Sequence, residues 1–184
     1  MREIGDKQQQ FSKELTKLMM NGTHEIVYID ETTFHLWQQP GRCWLKRDMA
    51  LTIPTTRGHS ITLIGALSEE RGLFHYELIS ATNTGTTFAM FIAKLKQKCK
   101  GPTKLVMDNL SVHKSRSVMQ YYDDKFQVMF LPTYSSVLNP IERVWNLIKQ
   151  EWRKTQHLHA LMDFDEESQR TQYSLARLRE IIGK

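Results

Sequence analysis

The chain has little of what marks a secreted or membrane-spanning protein. It holds only two cysteines, Cys43 and Cys99. Two are too few for a disulfide framework, and neither stands in a Cys/His spacing suited to zinc. No run of about 18 apolar residues occurs, which excludes a transmembrane helix and leaves no membrane partner to expect. The opening MREIGDKQQQ has no apolar core of a signal peptide. Internal repeats and low-complexity tracts are also missing. These absences point to a reduced, cytoplasmic setting. The 184 residues, 40% of them apolar, suit one globular domain with appendages and a sizeable core.

The net charge of +5 is modest but unevenly spread. Residues 93–116 carry six lysines and one arginine against Asp108 alone, and residues 143–160 carry Arg143, Lys149, Arg153 and Lys154 against Glu151. A polyanionic substrate would be served by such segments. A solvated helix face is the plainer account of the alternating lysines from Lys94 to Lys100.

Periodicity gives the elements in order. Residues 7–20 read as an amphipathic helix, with Phe11, Leu15, Leu18 and Met19 on one face and Asn21-Gly22 as the stop. Residues 26–29 form a continuous apolar run, a buried strand that Asp30 ends. Residues 36–58 are irregular and hold Trp37, Trp44, Arg42, Lys46, Arg47 and Arg57. They are expected to form a long inserted loop, with a small hairpin around 43–53, suited to a partner or to DNA phosphates. Strands are expected at 60–67 and 73–79 as an antiparallel pair, then a helix at 84–99 whose Phe88, Phe91, Ile92 and Leu95 share a face. A short strand at 105–107, a helix at 113–122, a strand at 126–131 and a helix from Asn139-Pro140 to about residue 154 follow. Residues 155–164 look irregular, and 165–182 a last helix. The order β-β-β-α-β-α-β-α predicts an α/β fold: a mixed sheet, its first three strands antiparallel, with helices on both faces. The two most apolar strands, those ending in Asp30 and Asp108, should be central neighbours. Ligands gather where such strands end and their connections diverge.

Three acids stand at such places: Asp30 in VYIDE, Asp108 in LVMDN and Glu142 in LNPIERVW. Each has an alternative role. Asp30 can cap a turn with Thr32, Asp108-Asn109 can form an Asx turn, and Glu142 falls at the capping-box position of a helix begun by Asn139. A lone carboxylate closing an apolar strand favours a ligand role for Asp30. Glu31 should face away from Asp30 if the strand continues, as a salt-bridge residue. His113, about one turn beyond Asp108, is read either as a contact to phosphate or to an attacking water, or as a surface histidine. Trp145, one turn after Glu142, is expected to pack so as to position a carboxylate. His157 and His159 are read as surface residues.

The segments VYIDE, DNLSVH and PTYSSVLNPIERVW, in this order, resemble the catalytic domain of mariner-type transposases, most closely the bacterial insertion-sequence branch. Glu142 follows Asp108 by 34 positions, similar to the spacing in that superfamily. The resemblance covers roughly residues 25–153 and implies a ribonuclease H-like fold with an Asp-Asp-Glu triad of Asp30, Asp108 and Glu142. It divides the chain into an N-terminal helical extension at 1–24, the catalytic domain at 25–154 with the inserted loop at 36–58, and a helical tail at 155–184. It implies metal-dependent cleavage of DNA at transposon ends and strand transfer to target DNA. Mg²⁺ or Mn²⁺ would serve, as two ions about 3.5–4 Å apart that activate the attacking oxygen and stabilise the leaving one. Asp30 would bridge the ions, with Asp108 and Glu142 each serving mainly one. Without metal, three such carboxylates repel, and at least one pKa should rise. Arg42, Lys46, Arg47, Arg57, His113, Lys114, Arg143 and Lys149 are the candidate DNA contacts.

Two departures qualify the resemblance. Only about 24 residues precede the first strand, where the family carries helix-turn-helix domains, so a catalytic fragment or one half of a split frame is expected. Ser136 stands where many relatives have Pro. Expected partners are DNA, a second copy in a homodimer and a separate N-terminal helix-turn-helix polypeptide. The expected location is the bacterial cytoplasm, at the nucleoid. The competing readings are an inactive transposase remnant, a DNA-binding or dimerisation module, and a ribonuclease H-type nuclease or resolvase.

Overall fold

The computed structural model describes residues 2–35, 60–80, 84–161 and 167–183. The loop expected at 36–58, with Arg42, Lys46, Arg47 and Arg57 in it, lies outside the described residues. One sheet carries the rest. Its strands are β1 (Glu25–His35), β2 (Ser60–Ser68), β3 (Gly72–Ile79), β4 (Thr103–Met107) and β5 (Phe126–Phe130), in spatial order β3-β2-β1-β4-β5. β1, β2 and β3 pair antiparallel, whereas β4 joins β1 and β5 joins β4 in parallel. This is the mixed sheet the pattern called for, with the two Asp-bearing strands adjacent at its centre.

Alternation along the strands sorts side chains between two cores. Tyr28, Phe34, Leu63 and Val106 enter one, packed with Phe11 of α1 (Arg2–Asn21), with Ile141, Trp145, Ile148 and Trp152 of α4 (Ile141–Leu161), and with Leu178 of α5 (Glu167–Ile182). Val27, Ile29, Ile64, Leu105 and Met107 enter the other, under Phe88, Phe91, Ile92 and Leu95 of α2 (Gly85–Lys98) and Val118 of α3 (Arg116–Met119). Helices therefore cover both faces. α2 starts where Thr84 accepts a hydrogen bond from Thr87 N, an N-cap that satisfies one of the helix's free donors.

Three boundaries differ from the sequence reading. β1 does not end at Asp30: β2 supplies a ladder partner for every residue from Val27 to His35, so the strand runs on. The helix expected at 113–122 is a 3-10 turn, Ser111–Lys114, followed by the one-turn α3. Extended Ser115 (ψ 150°) separates them, and its carbonyl accepts from Val118 N and Met119 N. Residues 155–161, expected to be irregular, continue α4, because no Gly or Pro interrupts its sequence before Leu161.

Candidate active site where two strands diverge

β1 and β4 pair in parallel only from Glu25/Thr103 to Tyr28/Val106. Carried on by two residues, that register sets Asp30 beside Asp108, just past the point where the strands part. Tyr28 and Val106 belong to the same core. Two-residue alternation therefore puts Asp30 on that face too, the one covered by α4, while Asp108 lies just past the end of β4.

α4 brings Glu142 to the same place. Asn139, buried at the helix start, uses both ends of its amide. Its Oδ1 accepts from Ile141 N at 3.4 Å, as an N-cap does, and its Nδ2 donates to Ile29 O at 3.3 Å. The second bond ties the helix N-terminus to β1 one residue before Asp30. Asn139 N–H goes to Ser136 O at 2.8 Å. A capping box would direct that N–H to the Glu142 carboxylate, so the first turn of α4 does not consume Glu142 in that way.

Like Asp108 and Glu142, Asp30 is half-buried. Trp145 Nε1–H donates to its Oδ2 at 2.9 Å. Burial raises the Asp30 carboxyl to about 6, against hydrogen bonds from Glu31 N and Trp145, while the charges of Glu142 and Asp108 push it further up. Burial is thus the main cause of the rise, and the charges of both other carboxylates add to it. The indole reaches Asp30 because Gly65 lies directly across the ladder from it. A Cβ on Gly65 would stand 2.4 Å from Trp145 Cη2 and 2.9 Å from Leu73 Cδ1. Glycine inside a strand marks such a close approach.

Asp108 is held from the other side. His113 Nδ1 is 2.8 Å from Asp108 Oδ1, off the line of a good hydrogen bond, and is directed at Asp108 O at 3.2 Å. Its Nε2 lies 3.3 Å from Glu31 Oε1. Glu31 does face away from Asp30 and forms an ion pair, as its position in the strand requires. The ring packs against Phe88, tilted by 33° with 4.3 Å between centroids, and is 2% exposed. Burial works against its charged form, but Asp108 and Glu31 outweigh it and hold His113 up at about 9. His113 is therefore neither a surface histidine nor a ring presented to DNA, because both nitrogens are spent inside the fold.

Among the described residues, no group of three or more His, Cys, Asp or Glu side chains is already drawn close enough to cage a metal ion. The donors nevertheless fit a hard divalent cation. They are all carboxylate oxygens, and Asp30 lies in the field of the other two. Of the basic candidates, Lys114 Nζ sits 4.8 Å above the Phe130 ring, Arg143 is exposed and Lys149 is half-buried. The alternating lysines of α2 serve the fold itself. Lys94 pairs with Glu77, Lys96 with Asp123, and Lys98 Nζ lies 3.0 Å from His75 Nδ1. Sequence reasoning missed Gly65 and the Trp145–Asp30 bond. The glycine in SITLIGALS was the available signal, but its meaning depends on which helix crosses it.

Residues 25–165 match the family model described as DDE superfamily endonuclease. An insertion element IS630 uncharacterized 39 kDa protein of Shigella sonnei is 29% identical over 134 residues, covering 68% of this chain and 38% of its own length. The chain thus spans well under half of that relative. Among solved structures, the Mos1 strand transfer complex aligns with a TM-score of 0.64 at 18% identity, over 97% of this chain and 53% of that one. The Mos1 catalytic domain with Raltegravir and Mn aligns with a TM-score of 0.58 at 16% identity, over 97% and 82%. These likenesses establish the ribonuclease H-like fold. From the match across residues 25–165, the chain belongs to the DDE superfamily of endonucleases.

Proposed function

We propose that this chain is the catalytic domain of a transposase that cuts DNA at transposon ends and joins the freed 3′ hydroxyl to target DNA. Asp30, Asp108 and Glu142 are its metal-holding acids. The observation that carries this reading is the half-buried Asp30 carboxyl, which stands where β1 and β4 part and in the field of both Asp108 and Glu142. Two of the Mos1 complexes contain Mn and Mg, and another holds a left transposon end. Mg²⁺ or Mn²⁺, as one or two ions, would be held by the three carboxylates and would supply Lewis acidity at phosphorus and a more acidic bound water.

The chain's own residues do the rest. Trp145 ties up Asp30 Oδ2 and so orients the carboxylate. Asn139 keeps the first turn of α4 against β1, so Glu142 stays in reach of Asp30. Arg143 and Lys149 on α4 and Lys114 beyond β4 supply positive charge for the phosphate backbone, with Arg42, Lys46, Arg47 and Arg57 of the 36–58 loop. We place end recognition in helix-turn-helix domains outside the catalytic domain, in the same or a separate polypeptide, and pairing of the two ends in a homodimer.

The test is cleavage of short duplexes carrying the element's end sequence, with Mg²⁺ or Mn²⁺. Wild-type protein should nick them. Asp30→Ala, Asp108→Ala and Glu142→Gln should each lose at least about 100-fold, as expected when a metal ligand is removed. Wild-type rates in Asp108→Ala would reject the assignment. Faster cutting of RNA–DNA hybrid than of duplex DNA would favour a ribonuclease H-type nuclease instead.

A further inference from the structure

We infer that His113 and Glu31 are positioning residues for Asp108, acting as a brace from the face of the sheet opposite Asp30. The inference rests on the role proposed above for Asp108.

Asp108 needs such a brace. β4 ends at Met107, whose carbonyl still accepts from Leu131 N at 2.8 Å. Pairing with β1 has already stopped at Val106. The Asp108 carbonyl therefore lies beyond both ladders, and a residue without ladder bonds is free to rotate about its backbone. His113 takes over the missing contact. Its Nδ1 points at Asp108 O at 3.2 Å and lies 2.8 Å from Oδ1, so one nitrogen governs both the backbone and the carboxylate.

The ring is itself fixed. It is almost wholly buried against Phe88, and its backbone oxygen accepts from Tyr122 Oη at 3.4 Å. Its second nitrogen meets Glu31, the residue after Asp30. Nδ1 faces only acceptors, and so does Nε2, so a ring carrying both N–H groups satisfies every contact. β1 thus presents Asp30 on one face and, through Glu31 and His113, steadies Asp108 from the other. With Oδ1 turned to His113, Oδ2 is the oxygen left for an ion. Outer partners of this kind orient metal ligands, and losing them costs about 10–100-fold in metal affinity.

The experiment measures Mn²⁺ affinity of the protein without DNA, from the electron paramagnetic resonance signal of free Mn²⁺, for wild type and variants shown to be folded by circular dichroism. His113→Gln and His113→Ala should weaken binding by about 10–100-fold. Glu31→Ala should weaken it less, and Glu31→Gln, which still accepts from Nε2, should stay near wild type. Glu31→Ala should add little in the His113→Ala background, because the two act through one contact. Asp108→Ala separates the two claims. If it binds Mn²⁺ as wild type does, the metal role and this brace fall together. If it binds weakly while both His113 variants bind normally, the brace alone is overturned. Melting temperatures that fall with unchanged Mn²⁺ affinity would show a purely structural histidine and would also overturn it. Should His113→Ala not fold, His113→Gln and Glu31→Ala decide the matter on the same scale.

Discussion

Replacing Gly65 by alanine tests how the Asp30 pocket is built. The new Cβ would lie 2.4 Å from Trp145 Cη2 and 2.9 Å from Leu73 Cδ1. Carbon atoms rest at about 3.5–4.0 Å, so the ring must retreat by about 1 Å or more. It has little room, being 1% exposed in the core between the sheet and α4. Overpacking of this kind costs about 1–3 kcal/mol, and the gain from replacing a strand glycine by alanine, about 0.5–1 kcal/mol, only partly offsets it. The ring's retreat also breaks the 2.9 Å bond from Nε1 to Asp30, a charge-assisted contact of about 1.5–3 kcal/mol. The net loss should be roughly 1.5–5.5 kcal/mol, or about 3–22 °C in melting temperature for a chain of this size. The Asp30 carboxyl should also titrate above its present value of about 6, since the indole bond lowers it. Thermal unfolding by circular dichroism in EDTA measures the first effect and carbon-13 NMR of labelled aspartates the second. Trp145→Leu in the Gly65→Ala background should recover part of the packing loss, because the clash goes with the ring. A Gly65→Ala protein that melts at or above wild type, with Asp30 titrating unchanged, would refute this account of the pocket.

Three further outcomes are expected. The folded Asp30 value of about 6 lies above the ordinary 3.8. Its contribution to stability is therefore complete below the lower value and is lost as pH rises through about 6. Asp30→Asn should accordingly stabilise the metal-free protein near neutral pH by about 2–3 kcal/mol, with little effect in acid, as unfolding curves at both pH values would reveal. Asn139→Ala removes the helix cap and the bond to Ile29 O. It should cost about 1–3 kcal/mol in a urea titration and weaken Mn²⁺ binding by letting Glu142 drift from Asp30. Arg143→Ala should lower the salt slope of DNA binding by about one, while Lys94→Gln and Lys96→Gln, whose lysines pair with Glu77 and Asp123, should leave it nearly unchanged in fluorescence anisotropy titrations.

The central strands were readable because burial on both faces leaves a plain mark, an apolar run closed by an acid. The hairpin of β2 and β3 was readable from its turn. β1 was cut short because its outer half, DETTFH, is polar but for Phe34, and only the neighbouring β2 shows that this half is strand. The lysines of α2 looked like a polyanion surface because a charge count carries no partners. Glu77 and Asp123, 17 and 27 residues away, supply them. His113 could be placed near Asp108, but its burial depended on Phe88, from a helix that sequence reasoning could not set against it.

The sequence by itself determined which residue types could do chemistry and which elements carry them. Strand and helix periodicity are local properties, and the three acids with their spacing were legible as a family pattern. Only the tertiary structure decided what surrounds each acid. The parallel register of β1 and β4 sets Asp30 beside Asp108. Asn139 draws α4 onto β1, the gap at Gly65 admits the Trp145 ring, and Glu31 meets His113 across 82 positions. Those arrangements depend on packing between segments far apart in the chain, and packing of that kind leaves no period in the sequence.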